Sequence, residues 1–173
     1  MMNNDLALLL AKIKLDCMYQ GLLHLHNFGR WVVIILLLVS IFKAASGLAG
    51  NKPFTNGDKK IGLFLMISAH IMLLVGLYQW FVGPWGFQNI QNLGMKAVMQ
   101  NNAYRFWAVE HITGMLIGII LITIGRGSAK KNISDIAKHR RSFWFYFIAF
   151  IVIVASVPWP FREVARPLFP GMH

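Results

Sequence analysis

Ala103-Tyr-Arg-Phe-Trp-Ala-Val-Glu-His-Ile-Thr-Gly-Met-Leu-Ile-Gly-Ile-Ile-Leu-Ile-Thr-Ile-Gly125 decides the fold. About 20 apolar residues rising ~1.5 Å each cover the hydrocarbon core of a bilayer, so this stretch reads as a membrane-crossing helix. Glu110 and His111 lie inside it. Ionisable groups at such depth are costly and face a protein interior with a partner. Gly114 comes about one turn after His111, and Gly118 about one turn later, so that face carries little side-chain bulk. Such a face suits a close helix contact or a flat cofactor, and the stretch alone leaves both open.

The rest of the chain agrees with a membrane protein. Of its 173 residues 57% are hydrophobic, against about 45–50% apolar in soluble domains. The length allows one compact bundle. A net charge of +11 would suit nucleic acid in a soluble protein, but Lys and Arg crowd the cytoplasmic loops of membrane proteins. No nucleic-acid partner is expected. The single Cys17 can form no intrachain disulfide. The start has no basic n-region, so no cleaved signal peptide is expected.

Working outward, residues 1–18 form an amphipathic N-terminal segment. Leu6, Leu9, Leu10, Ile13 and Met18 recur at helical spacing among Asp5, Lys12, Lys14 and Asp16. Residues 19–158 are read as a transmembrane domain, an all-α, up-down four-helix bundle, and 159–173 as a proline-rich surface tail. The first span covers roughly 22–42 and must take in His26, Asn27 and Arg30 to reach across. A turn-rich loop at 43–60 precedes the second span, 61–81, which holds His70 and ends in an aromatic belt. Residues 84–102 read as an amphipathic surface segment. The span quoted above follows, then a basic loop at 126–141 containing His139, then a short aromatic span at 142–157. Most of the 17 Lys and Arg fall at loops 43–60 and 126–141. The positive-inside rule makes those loops cytoplasmic, and the expected location is a bacterial inner (plasma) membrane.

Helix rise converts sequence into depth. From the basic edge, His26 stands ~26 Å up, His111 ~22 Å and His70 ~15 Å, with Arg30 at ~20 Å and Glu110 at ~24 Å. Three histidines from three helices thus reach one region of the bundle, and Arg30 with Glu110 becomes a candidate ion pair. Facing helices can hold a haem b iron through two axial imidazoles. The candidate ligands are His26 and His111, with His70 the rival to His26. In this reading Gly114 makes room for the ring, while Arg30 and Arg105 meet the propionates. The plainer readings are that each histidine is a packing residue, and that Gly114 and Gly118 form a small-residue helix contact. His24 faces away from His26, and His173 is terminal.

Met18-Tyr-Gln-Gly-Leu-Leu-His-Leu-His26, Arg30-Trp31, Lys52-Pro-Phe-Thr-Asn-Gly-Asp58 and Ala69-His70 resemble the short four-helix membrane proteins of the cytochrome B family. Phe81-Val-Gly-Pro-Trp-Gly-Phe87, Val109-Glu-His111 and Val157-Pro-Trp-Pro-Phe-Arg162 do so too. Asn27 stands where that pattern has Ser. The resemblance covers about 18–172. It implies a b-type cytochrome, with His26, His70 and His111 as the positions that bind haem. The expected function is single-electron transfer from a membrane carrier of quinone type to a respiratory partner protein within the lipid bilayer. The alternative is a haem-free structural or assembly subunit of a membrane complex. A third reading is a small proton-linked carrier using Glu110 and His70, but four spans with no internal repeat leave little room for alternating access.

Overall fold

The computed structural model describes residues 2–164, and they are all helix and turn. The elements are α1 (Met2–Ala49), α2 (Asn56–Val82), α3 (Phe87–Gln100), α4 (Asn102–Arg105), a π-helical turn (Phe106–Glu110), α5 (His111–Gly127), a 3-10 turn (Ser128–Lys130) and α6 (Asp135–Ser156). The four longest helices close a ring in which α1 packs on α2, α2 on α5, α5 on α6 and α6 on α1. Leu37, Leu65, Ala69, Ile122, Tyr146 and Ala149 are buried at its centre.

Among the described residues, three stretches are long and apolar enough to cross a membrane: Lys12–Ala49, Asn56–Val82 and Asn102–Lys130. The all-α membrane expectation therefore holds. The fourth expected span corresponds to α6, which begins with Asp135, Lys138, Arg140 and Arg141 and is not among the three. The expected loops are also shorter. Helix α1 runs on to Ala49, and α2 starts at Asn56 behind a Thr55 cap. There the Asp58 carboxylate accepts from Thr55 N–H at 2.8 Å, while Thr55 Oγ1 accepts from Asp58 N–H. Such a capping box satisfies two orphan donors of the first turn. Lys43 Nζ meets the same carboxylate at 3.2 Å, tying the end of α1 to the start of α2.

At the other junction, Ser134 Oγ accepts from Ala137 N–H and starts α6 early. His139 is consequently not in a loop. It is 2% exposed, against Phe54 and the backbone of Gly47.

The glycines of α5 settle one alternative. A Cβ at Gly114 would strike Ser156 Oγ, one at Gly118 would lie 2.6 Å from Ile153 Cγ1, and one at Gly125 2.7 Å from the Tyr146 ring. These positions form the contact with α6, the small-residue packing of membrane helices. Beyond α6 the chain turns back. Val157 is 2% exposed, and Trp159 Nε1 donates to Val154 O at 2.8 Å. The remaining tail, with Pro167, Pro170 and His173, lies outside the described residues.

Candidate functional site

Two ties at the aromatic end hold the site open between helices. Gln79 Nε2 donates to Leu22 O at 2.8 Å, fixing α2 against α1. Trp80 Nε1 donates to Ala108 O at 3.0 Å, fixing α2 against the π-helical turn. Between them lies a cavity of about 450 Å³, with His26, Asn27, Arg30, Trp80 and His111 in its wall. Ligand pockets measure about 300–1,000 Å³. Tyr19, His24 and Gln79 also line it, apolar groups such as Leu73, Leu77, Ile112 and Met115 make up much of the rest, and no acidic side chain contributes among the described residues.

Inside this space the rings of His26 and His111 stand edge to face, 6.3 Å between centroids. Gly76 gives His26 its room, since a Cβ there would sit 3.1 Å from His26 Cε1. His111 Nδ1 lies 2.8 Å from Ser156 O. A carbonyl only accepts, so Nδ1 carries the hydrogen and Nε2 keeps its lone pair. The buried His26 Nδ1 has no hydrogen-bond partner among the described residues. Leaving such a group unsatisfied costs about 1–3 kcal/mol. The guanidinium of Arg30 lies 5.5 Å from the centre of Trp31 and 6.0 Å from that of Trp159, a cation–π arrangement.

The other expected site residues lie elsewhere. His70 is exposed, with Nδ1 2.8 Å from Met66 O on its own helix, so it does not join the other two. Gly114 faces α6 rather than an open slot. Arg105 Nε binds Glu110 Oε1 at 2.6 Å, so Arg105 is engaged and Glu110 is paired with it rather than with Arg30. The reason is the π-helical turn. On an α-helix, residues five apart point in different directions, but the wider i→i+5 turn brings them together. His111 N–H reaches Phe106 O in that way.

These placements correct the haem b expectation. Among the described residues no group of three or more His, Cys, Asp or Glu is placed to hold a metal ion. Cys17 is exposed and unpaired. His26 and His111 contact one another without His70, the space at Gly114 is filled by Ser156 of α6, and Arg105 is tied to a carboxylate. The arrangement does not fit the group, and no haem chemistry follows from it.

Sequence reasoning missed Trp80, Trp107 and Ser156. Trp80 reads in the sequence only as part of an aromatic interface belt, although an indole N–H two residues from the end of α2 is a ready clamp. Nothing in the sequence marks Ser156 as the neighbour of His111.

Comparison with known proteins returns no match, whether to a family model, a curated protein or a solved structure. The resemblance to the cytochrome B family gains no support from it. What stands is a multi-helix, all-α protein with several helices able to cross a membrane and long apolar surfaces suited to lipid.

Proposed function

We propose that the chain is a haem-free structural or assembly subunit of a membrane complex, with all four long helices crossing the bilayer. The observation that carries this is the overhang of α1. Its 48 residues against the 27 of α2 make it about 30 Å longer at ~1.5 Å per residue. The Lys43–Asp58 bridge aligns the two helices at the basic end. Gln79 meets α1 at Leu22, so the excess lies on the N-terminal side. There Leu6, Leu9, Leu10 and Ile13 are each more than half exposed, at a spacing that makes one helical ridge. An apolar ridge held clear of its own bundle is suited to docking against another membrane subunit. The concentration of Lys and Arg at the opposite end supports a cytoplasmic position for loops 43–60 and 126–141.

The test compares the full chain with a form lacking residues 2–17, both extracted from their membrane in mild detergent. The full chain runs as part of a larger assembly. The shortened one is released from it yet keeps its helical circular dichroism and its melting temperature. A full chain that is monomeric in native membranes, by cross-linking, contradicts the proposal. Sharp visible bands in the reduced protein would contradict its haem-free character.

A further inference from the structure

We propose that the cavity at the aromatic end binds an amphiphile with a phenol-type head and an alkyl tail, the hydroxyl seated at His26 and His111. This goes beyond the subunit role and stands independently of it. Three observations converge. The His111 Nδ1–Ser156 O bond leaves the Nε2 lone pair as an acceptor. The ring of His26, edge-on to it at 6.3 Å, holds a buried Nδ1 with no partner among the described residues. A hydroxyl donates and accepts at once, which matches an acceptor on His111 beside an unpartnered nitrogen on His26.

The rest of the wall selects what carries the hydroxyl. Trp80, Trp85 and Trp107 put aromatic surface in the wall, which suits a ring, and Leu73, Leu77, Ile112 and Met115 line the space for a tail. A phosphate head fits less well. An ionised oxygen cannot donate to the lone pair of His111 Nε2, although the Arg30 guanidinium keeps its charge beside two indole rings. A guest without a polar head leaves the buried His26 Nδ1 without a partner among the described residues. The volume of about 450 Å³ falls within the range of small-molecule sites.

The experiment titrates the full chain in phosphatidylcholine nanodiscs by calorimetry, with empty nanodiscs subtracted. The probes are 4-nonylphenol and 4-nonylanisole, which differ only in the hydroxyl hydrogen and its methyl replacement. The expected result is saturable one-to-one binding of the phenol, about tenfold tighter than the anisole, the factor for one good hydrogen bond. His111→Phe removes that preference. Leu77→Trp, which fills the cavity, abolishes binding of both probes while melting temperature and helix content show it folded. Ile112→Phe serves the same purpose if Leu77→Trp does not fold. Equal affinity for the two probes, absence of saturable binding, or binding that survives a folded cavity-filling variant overturns the proposal. Loss of phenol binding when phosphatidylglycerol replaces phosphatidylcholine also overturns it, and assigns the space to an anionic lipid.

Discussion

The two ends of the helix ring are built from the same four helices but packed in opposite ways. Toward the basic end, Leu37, Leu65, Ile122 and Ala149 are fully buried, glycines bring α5 against α6, and the space beside His139 measures only about 20 Å³. Toward the aromatic end, two tryptophan- and glutamine-to-carbonyl bonds brace helices around about 450 Å³. A chain able to close one end so completely leaves the other open because polar side chains there brace it. The lesson is that the basic end carries the close packing and the aromatic end carries the cavity.

The largest effect that can sharpen this contrast is at the glycine seam. Gly125→Val pushes into the Tyr146 ring and is expected to cost about 3 kcal/mol, the upper part of the overpacking range, in unfolding by denaturing detergent. Gly21 is a control in which an added Cβ meets nothing within 4 Å. Gly21→Ala should stabilise by up to about 1 kcal/mol through helix propensity alone. A similar loss at both glycines breaks the claim that the seam is special.

Next comes the ion pair. Glu110→Gln and Arg105→Gln should each cost under about 1 kcal/mol, since both groups are substantially exposed. A double-mutant cycle should show them coupled, whereas Glu110→Gln with Arg30→Gln should be additive. Coupling to Arg30 and none to Arg105 would contradict the π-helical turn.

Much of this was legible in advance, and the failures have physical causes. Depth follows from helix rise, so counting residues placed His26 and His111 at one level, and the structure brings them together. Rotation does not follow. In a helix apolar on every side, hydropathy cannot say which face meets lipid, so His70 was assigned inward and lies outward. A single π-helical turn shifted everything around Glu110, and no local residue pattern announces one. The early start of α6 had a visible signal in Ser134-Asp135, a capping pair hidden by reading the surrounding Lys and Arg as loop. The haem b expectation rested on histidine depth together with a resemblance. Depth alone could not test the surroundings that such a group requires.

The smallest effect lies in the turn before α6. A hydrogen bond from the backbone of Phe54, assisted by Lys138, holds the Asp135 carboxyl below its ordinary value. Its folded state therefore favours the carboxylate, a contribution present above the ordinary carboxylate range and lost as pH falls through the lowered value. Wild type should lose a small increment of melting temperature on acidification that Asp135→Asn does not. Identical pH profiles would remove this link between α6 and the Phe54 turn.

The contrast between the ends is tested most directly by placing the same large side chain in each. Leu65→Trp and Leu77→Trp are compared in one unfolding assay. Leu77 lines the cavity and Leu65 is fully buried. Leu77→Trp should fall within about 1 kcal/mol of wild type, while Leu65→Trp loses about 1–3 kcal/mol or more. Equal losses at the two positions would contradict an open aromatic end.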